Sequence, residues 1–153
     1  MKTIVVSGSA SKIGKTTLVR NIKQALSRSR VQAIKFGHGP SRAGKDELLF
    51  HDLDEGLAFI RERLTSTDID VLIIESSSIY EHFKPDLGIF LVCPWKPEKA
   101  SARIARSNAN LIIDKSFDPE IARTILQKTL GSDIILPALH SQFLFYERTD
   151  HAN

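Results

Sequence analysis

The sequence predicts a three-layer, doubly wound α/β domain on a mainly parallel sheet. Short apolar runs at 3–7, 31–36, 71–75, 88–93 and 110–114 are nearly continuous rather than alternating, as strands covered on both faces require. Amphipathic helical patterns stand between them, so strand and helix alternate along the chain. The 153 residues are 42% apolar and 25% charged, an ordinary globular mix that excludes a disordered or fibrous chain. A core of this size buries roughly 68–70% of the unfolded surface without help from disulfides or structural metal.

The first strand, 3–7, runs into a small-residue turn and then a helix whose stripe is Leu18, Ile22, Ala25 and Leu26. After the second strand, 31–36, the stretch 38–51 reads as a polar, glycine-containing loop, long enough to be functional. Asp52 with Glu55 resembles a capping box, and it opens a helix carrying Leu53, Leu57, Ile60 and Leu64. Strands 71–75 and 88–93 follow, and Pro97 opens a weaker helix through Ala105. After 110–114, Asp118 as N-cap and Pro119 at the first helical position announce another helix, with Ile121, Ala122, Ile125 and Leu126 on its stripe and Gly131 as its stop. A weak sixth strand is expected at 133–136. The tail 137–153, with Leu139, Phe143, Leu144, Phe145 and Tyr146, lacks a period; it is expected to pack on the domain or on a second subunit. No repeat or linker divides the chain, so 1–153 reads as a single domain.

Lys and Arg total 21 against 18 Asp and Glu, a formal charge of +3. That mild excess suits a phosphorylated ligand, but it is interspersed with acids and forms no nucleic-acid stripe. Cys93 stands alone in an apolar run, so it reads as a core cysteine and excludes an intrachain disulfide or a Cys-based zinc site. Met1-Lys2-Thr3 runs straight into the first strand, and no apolar stretch approaches a membrane span. A cytoplasmic protein without a membrane partner is expected.

The sharpest signal is Gly8-Ser9-Ala10-Ser11-Lys12-Ile13-Gly14-Lys15-Thr16-Thr17, between a hydrophobic strand and an amphipathic helix. That context marks a phosphate loop, and with it a P-loop NTPase fold. Backbone N–H groups of Ser11, Lys12, Ile13 and Gly14 are expected to cradle a polyphosphate on the helix N-terminus. Lys15 is expected to reach the β/γ-phosphates, Thr16 to ligate Mg²⁺ and Thr17 to contact the α-phosphate. The pattern's first glycine is replaced by Ser9, with Gly8 one residue earlier.

Such a loop needs a nearby acid for Mg²⁺ or its water. Glu75 closes the apolar strand Val71-Leu72-Ile73-Ile74 at the carboxyl end of the sheet, where ligands bind in open α/β folds. Asp70 opens that strand and lies at the wrong edge. Asp46, in Gly44-Lys45-Asp46-Glu47, is the second candidate for metal and catalysis, ahead of Glu47. Lys35 and the Gly37-His38-Gly39 turn stand at the end of the second strand, and Lys35 and His38 are candidates for a second anionic ligand.

Three features resemble the MobB family, P-loop accessory proteins of molybdopterin guanine dinucleotide synthesis. They are Gly14-Lys15-Thr16-Thr17-Leu18, Ala33-Ile34-Lys35 followed by His38, and Gly44-Lys45-Asp46. The resemblance covers residues 3–75. It implies a dimer that binds GTP, hydrolyses it slowly and assists a nucleotidyltransferase. It also implies that Lys15, Thr16 and Thr17 are nucleotide ligands, with Asp46 and Glu75 near Mg²⁺.

ATP remains an alternative nucleotide, because no Asn-Lys-x-Asp guanine motif is present; Asp114 and Trp95 are candidates for contacting the base. Two other readings stay open. One is a small-molecule kinase or ATP-dependent ligase resembling dethiobiotin synthetase, with Lys35, Ser76, Ser77 and Ser78 on the acceptor. The other is a nucleotide-gated module that docks a partner through Lys96, Lys99, Arg103 and Arg106 on one helix face.

Overall fold

In the computed structural model, the described residues are 1–38, 47–114, 124 and 127–129. Strands β1 (Lys2–Gly8), β2 (Val31–Phe36), β3 (Glu47–Phe50), β4 (Val71–Glu75), β5 (Leu87–Leu91) and β6 (Leu111–Ile113) form one parallel sheet in the order β3-β2-β4-β1-β5-β6. Helices α1 (Lys15–Ala25), α2 (Leu53–Leu64) and α3 (Ala102–Asn108) connect them.

The side-chain period of two divides each apolar strand between two layers. Ile4 and Val6, with Ala33, Val71, Ile73 and Ile89, pack against Leu18, Val19 and Ile22 of α1. The alternate residues Val5, Ile34, Leu72 and Ile74 pack against Leu57 and Ile60 of α2, and Phe90 against Ala102 and Ala105 of α3. Helices therefore cover both faces, which is why the strands read as unbroken apolar runs. Each fully buried Ile, Leu or Phe contributes roughly 1.5–3 kcal/mol of transfer free energy.

The connections position the site. From β1 the chain crosses to β2 on one side, whereas neighbouring β4 leads to β5 on the other side of β1. Ligands of open α/β sheets bind outside the carboxyl ends of strands at such a reversal.

Several expectations are corrected. Part of the stretch read as a loop at 38–51 is the edge strand β3, in register with β2 from Ala33 opposite Glu47 to Phe36 opposite Phe50. Four residues are too few to show a period, and a polar start hides them; Phe50 then packs on Phe36 and Phe59 at centroid distances of 6.0 and 5.2 Å. The helix expected from Pro97 begins only at Ala102, because the preceding residues turn back to the loop after β1. Leu64, read on the buried stripe, is exposed at the end of α2. Cys93 is buried, as expected. The strand at 133–136 and the tail lie outside the described residues; of the helix read from Asp118, only Thr124, Gln127, Lys128 and Thr129 are described, and they are helical. Among the described residues no helix is long and apolar enough to cross a membrane.

The expected cap on α2 is present: the Asp52 carboxylate accepts a hydrogen bond from the Glu55 N–H at 2.8 Å. Asp52→Ala should cost about 1 kcal/mol and lower the melting temperature by about 2–4 °C. An unchanged thermal melt would show that α2 does not depend on this cap.

Candidate phosphate-binding site

β1 ends at Gly8, and α1 begins at Lys15 with no side-chain hydrogen bond to its N-terminus. The Leu18 N–H donates to Gly14 O at 2.9 Å and closes the first turn of α1, so the N–H groups of Lys15, Thr16 and Thr17 have no partner one turn back within the helix. Lys12 (φ 56°) and Gly14 (φ 98°) are both left-handed, and Ile13 between them is not. Alternation of this kind curls successive amides into an anion-binding concavity. Lys12 is the only described non-glycine residue at positive φ, so the strain is concentrated in this loop. The Ile13 side chain is buried below it, against Gly8, where an added Cβ would lie 2.6 Å from Ile13 Cδ1. Only the Ile13 main chain is therefore suited to a ligand.

Ser9, the departure from the glycine pattern, has a structural reason. It is 1% exposed, and its Oγ accepts a hydrogen bond from the Cys93 N–H at 2.8 Å. Its own N–H donates to Leu91 O and its carbonyl accepts from the Lys99 N–H, each at 2.9 Å. A glycine would leave the Cys93 amide without this partner in the core. Serine thus joins the loop after β1 to the segment after β5.

Strand register brings the charges together. Glu75 shares the α1 face with Val71 and Ile73, and Lys35 is its register partner on β2. Glu75 is 3% exposed and Lys35 Nζ lies 3.3 Å from its Oε1. Thr16 Oγ1 donates to the same carboxylate, 2.9 Å from Oε2, and accepts from Lys35 Nζ at 3.2 Å. Lys15 Nζ curls back to donate to Ala10 O at 2.8 Å. Burial pushes the Lys15 ammonium below its ordinary pKa; Glu75 opposes that fall, while Lys99, Lys35 and Lys96 add to it. An arriving polyanion would reverse the imbalance.

All of residues 11–17 line one cleft of about 960 Å³, together with Lys35, His38, Glu75 and Lys99. Seven of the loop expectations and Glu75 are thus brought to one place. Asp46, with Gly44 and Lys45, lies outside the described residues; Glu47 begins β3. Asp70 lies at the opposite edge as expected, where Arg30 holds its carboxyl down to about 2 through side-chain and backbone hydrogen bonds. No protein-family model and no curated protein matches the chain.

The basic residues of the 96–106 stretch do not share a helix face, which corrects that expectation. Lys96 Nζ donates to the carbonyls of Ser11 at 3.3 Å and Lys12 at 3.5 Å, and Lys99 Nζ donates to Ser11 Oγ. Arg106 pairs with Glu98 at 2.6 Å and lies over the Phe90 ring. Trp95 is 54% exposed. Sequence reasoning missed Lys99 as a site residue, because nothing in its spacing ties it to a loop some ninety positions earlier.

Thr16 and Glu75 offer hard oxygen donors, and no cluster of three His, Cys, Asp or Glu side chains occurs among the described residues. That sparse set fits Mg²⁺, which keeps waters and takes oxygens from substrate phosphates rather than filling an all-protein cage.

Proposed function

We propose that this chain is a Mg²⁺-dependent nucleoside triphosphate-binding protein, favouring GTP, with slow hydrolysis. The observation that carries the reading is the convergence of Lys15, Thr16 and Glu75 at an uncapped helix N-terminus behind a left-handed loop. Loop amides and Lys15 bind the phosphates, while Glu75 orients Thr16 and attacking water. Thr16 and Glu75, directly or through water, would hold Mg²⁺, which would supply charge neutralisation to the phosphates. Asp46 is proposed to act beside Glu75. The MobB-like features extend the proposal to a homodimeric accessory factor for the nucleotidyltransferase of molybdopterin guanine dinucleotide synthesis.

Thr16→Ala should weaken the Mg²⁺ dependence of binding more than the metal-free affinity. Calorimetry with and without Mg²⁺ reads this, and an equal loss in both contradicts the metal role.

A second reading has one observation in its favour: the cleft continues past Glu75 along Ser76, Ser77 and Ser78 beside Lys35 and His38, leaving room for an acceptor. The deciding experiment compares GTP, ATP and their diphosphates by calorimetry, then follows turnover with and without a small-molecule extract. Tight GTP binding with slow, extract-independent hydrolysis supports the accessory factor. Turnover only with extract supports a kinase or ligase, and binding of neither nucleotide refutes both.

A further inference from the structure

The segment between β5 and α3 is tied to the phosphate loop through its backbone and through two lysines. Its anchor at Ser9 is main-chain at Lys99, whose N–H donates to Ser9 O at 2.9 Å. That anchor does not use the Lys99 side chain, which extends separately to Ser11 Oγ inside the cleft lining. Among the described residues, Lys12, Lys15, Lys35 and Lys99 line this cleft against one carboxylate, Glu75. Lys35 is committed to that carboxylate at 3.3 Å. Lys99, by contrast, meets a neutral hydroxyl.

Its position selects one end of a bound polyphosphate. Lys15, the residue that reaches β/γ-phosphates in such loops, has its ammonium at Ala10 O, next to Ser11. The two ammonium groups thus meet adjacent loop residues, Ala10 and Ser11, which puts Lys99 with the lysine expected at the β/γ-phosphates.

We propose that Lys99 is a phosphate ligand supplied in cis, its ammonium passing from Ser11 Oγ to the terminal phosphoryl oxygens of a bound nucleoside triphosphate and so selecting triphosphate over diphosphate. This rests on the nucleotide reading above and adds the residue that senses the third phosphate. Lys99 serves the role that an inserted basic finger serves in other phosphoryl-transfer proteins. Its charge adds to those of Lys12 and Lys15 along the same cleft, so the gain is greatest for the most highly charged ligand.

The test measures equilibrium affinity for a non-hydrolysable GTP analogue and for GDP, both with Mg²⁺, in the parent, Lys99→Gln and Lys99→Arg. Lys99→Gln should weaken the triphosphate analogue by about ten- to a hundredfold and leave GDP nearly unchanged, while Lys99→Arg should keep most of the selectivity. The backbone bond to Ser9 survives both substitutions, and matching thermal melts verify the fold. Equal losses for both nucleotides, or none, overturn the assignment. A parent that binds neither nucleotide overturns the nucleotide reading and this inference with it.

Discussion

Glu75→Gln should lower single-turnover hydrolysis by roughly ten- to a thousandfold, on the order of 1.4–4 kcal/mol of barrier. Diphosphate affinity should hardly change. Glu75 is buried at the carboxyl end of β4, faces α1 and accepts from Thr16; on the proposed function its charge would act where the terminal phosphate and attacking water meet. Such a contribution arises mainly as charge develops in the transition state. Glutamine retains one oxygen acceptor for Thr16 and Lys35, and Lys35 is 18% exposed, so its ammonium can recover hydration. The variant should therefore fold. Parent-like hydrolysis removes Glu75 from the chemistry, and loss of folding assigns it to the architecture instead.

Lys15→Ala should abolish productive triphosphate binding, a loss on the order of a hundredfold or more from charge-assisted bonds to phosphate. The fold should not suffer. In the free protein Lys15 contributes a hydrogen bond to Ala10 O, and burial and the neighbouring Lys99, Lys35 and Lys96 all disfavour its charge. Truncation removes that repulsion, so the melting temperature should stay level or rise. A simultaneous collapse of binding and stability would mean that the lysine holds the loop together rather than its ligand.

Much of this site was legible because its determinants are local. The alternation of apolar runs predicted a covered parallel sheet, and Gly14-Lys15-Thr16-Thr17 predicted the tight turn that opens α1. Glu75 was legible from its place at a strand end, and its partner Thr16 from the loop pattern. What escaped the sequence depends on tertiary pairing. β3 is four residues long and acquires its meaning from register with β2. Ser9 looked like a weakened glycine position until the Cys93 amide appeared opposite its hydroxyl. Lys96 and Lys99 read from sequence as part of one docking helix face, because spacing on a helix is visible in sequence and a return across 84 to 88 positions is not.

Calorimetric titration of the parent and Lys15→Ala, side by side, with Mg²⁺ and a non-hydrolysable nucleoside triphosphate analogue tests the central claim most directly. The parent should saturate at one nucleotide per chain, and Lys15→Ala should show no saturable binding over the same range with an unchanged melt. A parent that binds no nucleotide, or a variant that binds as tightly as the parent, contradicts the assignment of this loop to phosphate.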